Sequence, residues 1–202
     1  MIKKSLFIGP IAIYRSLIPN CERIIEKLEW SEKQEGAAKW ERARCYDGSV
    51  LGKEDNSRTN SFLNLTSGSY SNEISDNLAV AVQQEINDHL YKHFHNALND
   101  YKCRFGVSLS DETNRSMQIL KYGQDQKFEP HADDGVGTPR RVSALAYLND
   151  NFSGGELEFT FSGILYNPSV GDLVLFPSSY FYVHGARPVT DGTKYSAVTW
   201  WF

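Results

Sequence analysis

No run of apolar residues in this 202-residue chain approaches the roughly 20 needed to cross a bilayer as a helix. No membrane partner is therefore expected. Basic charge is not in excess either: 21 Lys and Arg stand against 25 Asp and Glu, for a net charge of −4. Nucleic-acid binding depends on neutralising phosphates, so no nucleic-acid partner is expected. Cysteine is scarce and unpatterned. Cys21, Cys45 and Cys103 are odd in number and unrelated in spacing, which fits neither a disulfide framework nor a zinc site, and they read as reduced. The opening MIKKSLFIGPIAIYR has two lysines and a short apolar run. Gly9, Pro10 and Arg15 interrupt that run and no small-residue cleavage site follows, so it reads as a first strand rather than an export signal. A cytoplasmic location is the expectation, and the glycosylation triplets at Asn64, Asn114 and Asn151 carry little weight. There is no internal repeat and no low-complexity tract, which excludes a solenoid or a disordered scaffold.

What is present suffices for one substantial core. With 41% hydrophobic and 13% aromatic residues, the length suits a single domain over residues 1–202 and is too short for two ordinary enzymatic domains. Residues 1–100 read as mainly helical support and a long loop. Asn20 precedes CERIIEKLEW, where Ile24, Ile25 and Leu28 share a helical face and Asn20 can cap the first turn. Asp47 to Ser75 is rich in Ser, Asn and Gly and reads as a loop, with a short strand over Arg58 to Leu65. From about Asp76 to Leu98 a helix is predicted, with Leu78, Val82, Ile86, Leu90, Phe94 and Leu98 at four-residue steps. Residues 101–202 turn to short β-rich runs separated by Gly, Pro, Asn and Asp, spaced as in a barrel or sandwich.

The chemistry concentrates in that second half. In FEPHADDG, His131 and Asp133 are two apart, so on a strand they point to one face and can reach one metal. His184 in YFYVHGARP is the candidate third ligand. Two imidazoles and one carboxylate leave coordination positions open, which suits ferrous iron that must also bind a keto acid and dioxygen; a closed structural zinc site would need a fourth protein ligand. In KYSAVTWWF, Lys194, Ser196, Val198 and Trp200 share one strand face. A lysine pointing into an apolar barrel needs a counter-charge, and its compact ammonium suits a single carboxylate. His89 and His93 stand at i, i+4 on the long predicted helix, but no His-Glu-x-x-His pattern accompanies them, and they read as solvent-side histidines.

These residues lie in a longer pattern that resembles the iron(II)/2-oxoglutarate dioxygenases of the prolyl 4-hydroxylase type. MQILKYGQDQKFEPHADD, RRVSALAYLND with FSGGELEF, PSVGDLVLFP and HGARPVTDGTKYSAVTWWF follow that family's order and spacing, and SRTNSFLNL is a weaker upstream echo. The resemblance implies an α+β, mainly β fold: a double-stranded β-helix, or jelly roll, with supporting N-terminal helices. It implies a procollagen-proline 4-dioxygenase-like enzyme using Fe(II), 2-oxoglutarate and dioxygen, with ascorbate as a further candidate cofactor. Iron would be held by His131, Asp133 and His184, and the far carboxylate of 2-oxoglutarate by Lys194 and Tyr122, with Ser143 as an additional hydroxyl. Arg140 and Trp200 align with substrate-binding positions, which supports a proline-containing peptide or protein as partner. The sequence departs from the pattern at Phe128, where these relatives usually carry Tyr, and in the short interval from Asp133 to His184. Hydroxylation of a free amino acid or of another side chain therefore stands as an alternative. A non-catalytic jelly-roll binding protein has no need of the triad and lysine together, and nucleic-acid demethylases generally carry arginine where Lys194 stands.

Overall fold

The computed structural model describes residues 5–45, 56–65, 77–110, 117–135 and 139–202. The chain opens with a hairpin, Ser5–Ile8 (β1) and Ile11–Tyr14 (β2), followed by helix α1 at Cys21–Ser31. Glu41–Arg42 (β3) and Ser61–Leu65 (β4) pair with one another, and the long helix α2, Leu78–Phe105, comes next. Met117–Tyr122 (β5), Phe128–His131 (β6), Val142–Tyr147 (β7), Phe152–Gly154 (β8) and Leu157–Phe159 (β9) begin the β-rich half. Ile164–Tyr166 (β10), Leu173–Pro177 (β11), His184–Ala186 (β12), Val189–Gly192 (β13) and Lys194–Trp201 (β14) complete it.

The strands assemble into a large antiparallel sheet in the order β1-β2-β11-β7-β14-β5-β4-β3, a smaller sheet β10-β9-β12-β6, and a ribbon β13-β8. One apolar cluster joins the two sheets, with Ile13, Tyr147, Val174 and Phe176 of the large sheet against Leu157, Phe159 and Tyr166 of the small one. This is the double-stranded β-helix expected from the sequence. On the other face of the large sheet, Leu28 of α1 and Ile86, Leu90, Phe94 and Leu98 of α2 share a second core with Leu63, Met117, Ala197 and Trp201. Strand alternation makes both cores possible: along β14, Ala197 and Trp201 face the helices while Lys194, Ser196, Val198 and Trp200 line the space between the sheets.

Three expectations need correction. Residues 1–100 are more than helical support, because β1 to β4 supply both flanks of the eight-stranded sheet. β2 reads IAIY, buried at all four positions, so it shows no alternation in sequence; it is a strand because its partner is β11, far along the chain. The long helix runs to Phe105, not Leu98. Tyr101 continues the buried stripe, and the stop is Gly106, in the left-handed region at φ 64°, whose N–H bonds the Lys102 carbonyl. At the other end Leu78, expected in the stripe, is 68% exposed, and the cap is Asn77, whose side chain accepts from the Ala79 and Val80 N–H groups. Asn20 does occupy the N-cap of α1 but lies in the left-handed region at φ 59° and makes no side-chain cap; only its carbonyl takes the Ile24 N–H. Asp76 and most of the expected Asp47–Ser75 loop fall outside the described residues.

The PSVGD turn shows how a local motif aligns distant strands. Gly171 has φ 79°, and a Cβ there would stand 2.7 Å from the Ile18 carbonyl oxygen. The buried Asp172 carboxylate then accepts from the Arg15 guanidinium at 2.9 Å, the Ser16 N–H at 2.9 Å and the Tyr166 hydroxyl at 2.5 Å. It ties the end of β2 to the start of β11, which leads to the segment carrying His184.

Candidate metal centre and its cavity

β6 and β12 are neighbours in the small sheet, and their register sets His131 opposite His184, with ring centres 4.6 Å apart. His131 Nδ1 lies 2.9 Å from the Glu129 carbonyl and His184 Nδ1 lies 3.0 Å from that of Tyr182. A carbonyl can only accept, so each Nδ1 carries the proton and each Nε2 keeps its lone pair free. Both Nε2 atoms face Asp133, at 3.6 Å from Oδ1 for His131 and 3.5 Å from Oδ2 for His184. Asp133 sits in the bend just beyond β6 rather than on the strand. The Ser143 hydroxyl donates to its Oδ2 at 2.6 Å, and Ser178 Oγ lies 2.8 Å behind Ser143. The three ligand atoms fall within 4.8 Å of one another, the one such group among the described residues.

The electrostatics suit a cation. Burial alone would raise Asp133, but the two imidazoles facing it and the hydrogen bond from the Ser143 hydroxyl outweigh it and hold the carboxyl well below the usual range. Burial pushes His184 down to about 4 despite the opposing pull of Asp133, so at neutral pH it is the neutral imidazole that ligates metals. One carboxylate and two imidazole Nε2 atoms, with the Nδ1 of each ring held by a carbonyl, form a donor set for a transition metal with open positions.

From this centre a cavity of about 450 Å³ extends between the sheets to Lys194. β14 and β5 place Lys194 directly opposite Tyr122. The lysine is 2% exposed; its Nζ donates to the Gly155 carbonyl at 2.5 Å and lies 5.1 Å from the Tyr122 ring centre and 5.3 Å from that of Tyr147. No carboxylate among the described residues is within ion-pairing distance of it. Burial lowers its pKa to about 7, against a small opposing effect of Glu156. Ser196 Oγ in the cavity wall and Tyr147 Oη are buried without hydrogen-bond partners among the described residues. Gly155, the second glycine of the Gly-Gly-Glu turn, has φ 67°, and a Cβ there would meet Lys194 Cδ at 3.1 Å, so the turn must be this close for its carbonyl to hold the ammonium.

Seven of the eight residues singled out from sequence therefore line this cavity. Ser143 does not: it is fully buried behind Asp133, and its hydroxyl donates to that carboxylate and lies 2.8 Å from Ser178 Oγ. Arg140 stacks on Trp200 at 3.8 Å, with Nη1 3.9 Å from Asp133 Oδ1. Phe128 stacks on His131 at 3.6 Å, and the Arg58 guanidinium covers Phe128 at 4.6 Å. Sequence reasoning did not single out Arg58, Ser196 or Ser178 as site residues. The position of Ser196 on the face of Lys194 was a usable signal; Arg58 and Ser178 reach the site only through tertiary pairing. His89 and His93 stand together on α2, ring centres 4.9 Å apart, with no third ligand among the described residues.

Residues 117–202 match the family model of the 2OG-Fe(II) oxygenase superfamily. A probable prolyl 4-hydroxylase 7 of Arabidopsis thaliana is 31% identical over 124 residues, covering 46% of this chain and 39% of that protein; the chain thus spans about two fifths of that relative's length. Among solved structures, the viral collagen prolyl hydroxylase of Paramecium Bursaria Chlorella virus-1, in its 2OG complex, superposes with a TM-score of 0.64 at 18% identity, covering 95% of each chain. A prolyl hydroxylase from Trichoplax adhaerens, in complex with a hypoxia inducible factor peptide fragment, gives 0.64 at 16% identity over 96% of this chain and 84% of that one. These likenesses agree with the double-stranded β-helix, and the chain resembles the prolyl 4-hydroxylases among the 2OG-Fe(II) oxygenases.

Proposed function

We propose that the protein is an Fe(II)- and 2-oxoglutarate-dependent dioxygenase that hydroxylates a prolyl residue of a peptide or protein. One observation carries the reading: a three-donor metal centre and a buried lysine without a carboxylate partner open into the same cavity. The donor set fits ferrous iron, and the unneutralised Lys194 with the partnerless Ser196 hydroxyl fits the distal carboxylate of a short dicarboxylic acid.

His131, Asp133 and His184 would hold iron, which when loaded with 2-oxoglutarate and dioxygen supplies the oxidant for C–H hydroxylation, with succinate and carbon dioxide as co-products. The remaining work belongs to the chain. Lys194 takes up the charge of the far carboxylate, and Tyr122, whose phenol burial pushes up to about 12, stays protonated and able to donate to it. The carbonyls of Glu129 and Tyr182 keep both imidazoles in the ligating tautomer, and Ser143 fixes the carboxylate. Leu120, Leu145 and Val198 make the intervening wall apolar and limit water. Trp200 offers a flat face to a proline ring, and Arg140, stacked on it, faces the same space.

The direct test incubates the iron-loaded protein with 2-oxoglutarate and a library of proline-containing peptides, reading succinate and the gain of one oxygen by mass spectrometry. Hydroxylated proline within a peptide is the expected result. Phe128 beside His131, lacking the hydroxyl common in these relatives, favours one other substrate. If a free amino acid gains oxygen and no proline peptide does, the peptidyl-proline reading is wrong.

A further inference from the structure

In the dioxygenase reading two cations of the cavity take no part in holding the metal or the co-substrate. Arg58 and Arg140 both line it. Arg140 makes no hydrogen bond to a described residue and its Nε is buried without a partner; its one acidic contact is Asp133 at 3.9 Å, at the outer limit of an ion pair. That carboxylate already accepts from Ser143 and faces both imidazoles. Arg58 uses Nε on the Asn60 side chain at 3.2 Å and Nη1 on the Arg44 carbonyl at 3.4 Å, which leaves Nη2 uncommitted, and no carboxylate is within ion-pairing distance among the described residues. Burial disfavours the charged form of Arg140, Asp133 opposes this, and repulsion from Arg58 adds to it. A protein with a net charge of −4 thus gathers two half-buried guanidinium groups whose one nearby carboxylate among the described residues, Asp133, is already engaged.

Their posture is equally particular. The Arg140 guanidinium lies 3.8 Å over Trp200 and that of Arg58 lies 4.6 Å over Phe128, itself stacked on His131 at 3.6 Å. Stacking fixes the plane of each fork and leaves its edge to donate. A planar fork of N–H groups matches a carboxylate in two-point contact, and a partly desolvated cation with unused donors has most to gain from an anion.

We infer that the substrate brings a carboxylate into this cavity, and that Arg58 and Arg140 bind it beside the metal centre and thereby select acidic substrates. This rests on the dioxygenase reading and narrows it: for a peptide, the reacting residue is flanked by Asp or Glu or is itself C-terminal. Phe128 and Trp200 then serve as platforms on which the two guanidinium groups rest.

The test measures binding under argon to protein loaded with iron(II) and 2-oxoglutarate, so that no turnover intervenes. Matched peptides are compared: Asp-Pro against Asn-Pro, Glu-Pro against Gln-Pro, and C-terminal proline as free acid against amide. The acid of at least one pair is expected to bind roughly 10- to 100-fold tighter than its neutral isostere, the worth of a hydrogen bond to a charged group. Which pair shows the preference identifies the source of the carboxylate. In Arg58→Gln and in Arg140→Gln the acid-to-amide ratio should fall towards one. Because each ratio is internal to one variant, a loss of folded protein does not imitate it, and Arg58→Gln, farther from the metal ligands, serves if Arg140→Gln does not fold. Equal binding of all acids and amides by the parent overturns the inference, as does a preference that survives in both variants. Failure here is separable from failure of the hydroxylase reading. Proline hydroxylated without acid preference removes the arginine pair and keeps the enzyme, whereas acid preference without any hydroxylated proline keeps the pair and removes the proline substrate.

Discussion

The two ends of the cavity are built on opposite principles. At the small-sheet end the polar atoms are held by protein partners, with Nδ1 of His131 and His184 on carbonyls, and Asp133 on the Ser143 hydroxyl, itself backed by Ser178. At the large-sheet end Lys194 rests on the carbonyl of Gly155, and the hydroxyls of Ser196 and Tyr147 have no partner among the described residues. A satisfied network rigidifies its members, whereas an unsatisfied one holds free energy that a fitting ligand releases. The metal end thus holds its three donors in place before any ion binds, and the lysine end buries a cation that a bound carboxylate would neutralise. Stability and affinity should therefore respond differently when each end is altered.

The sharpest test of the contrast lies at the metal end. His131→Ala, His184→Ala or Asp133→Gly should abolish iron binding and succinate formation, because a three-donor site that loses a donor has little left to hold a labile ferrous ion. Metal titration with succinate assay reads both; near-normal succinate from any of the three would remove the triad. At the other end Lys194→Ala should leave iron affinity nearly intact and weaken 2-oxoglutarate by roughly two to four orders of magnitude, the loss of one partner of a buried ion pair being about 3–5 kcal/mol. Titration of the iron-loaded variant with 2-oxoglutarate checks this, and an unchanged affinity would mean that Lys194 is not the anchor.

How much of this was legible in the sequence also divides between the ends. His131, Asp133, His184 and Lys194 could be read because the chemistry needs those residue types and because strand alternation, a local rule, decides which neighbours share a face. Lys194, Ser196, Val198 and Trp200 line the cavity together for that reason. What could not be read depends on pairing between distant segments. β2 lies beside β11 and β4 beside β5 through contacts that no local periodicity encodes, so the first hundred residues looked like support for a sheet they in fact flank. Arg58 reaches the site because it bridges to Phe128. Ser143 was placed on its strand, but its hydrogen bond to Asp133 was not foreseen, since it depends on where the bend after β6 falls.

A smaller effect is expected where the metal end is weakened without losing a ligand. Ser143→Ala removes the hydroxyl that orients Asp133 and should lower iron affinity by roughly 10- to 100-fold, the usual cost of losing such a support. The co-substrate affinity of the iron-loaded variant should change far less. Equilibrium metal binding separates the two. Were Ser143→Ala to weaken 2-oxoglutarate and spare iron, the hydroxyl would belong to the co-substrate after all.

The smallest signal tests the lysine end through its proton. With its pKa lowered to about 7 by burial, Lys194 in the ligand-free protein is mostly neutral at pH 8, while in the unfolded chain it is charged up to the ordinary value of 10.5. Between these values the unfolded state binds more protons, so stability rises with pH, by about 1.4 kcal/mol per unit for a full proton difference. That contribution is absent below about pH 7, where both states carry the proton. From pH 7 to 8, below most of the range where Cys21 and the buried tyrosines add opposing slopes, the ligand-free protein should become more stable, and Lys194→Met should flatten this dependence in denaturant titrations. A carboxylate bound to Nζ restores the charge, so 2-oxoglutarate binding at pH 8 should draw up to about one proton from solution. Calorimetric titrations in buffers of different ionisation enthalpy measure that number directly. A value near zero in the parent would mean that the lysine is charged before the ligand arrives, and the contrast between a finished end and a waiting end would fail at its most specific point.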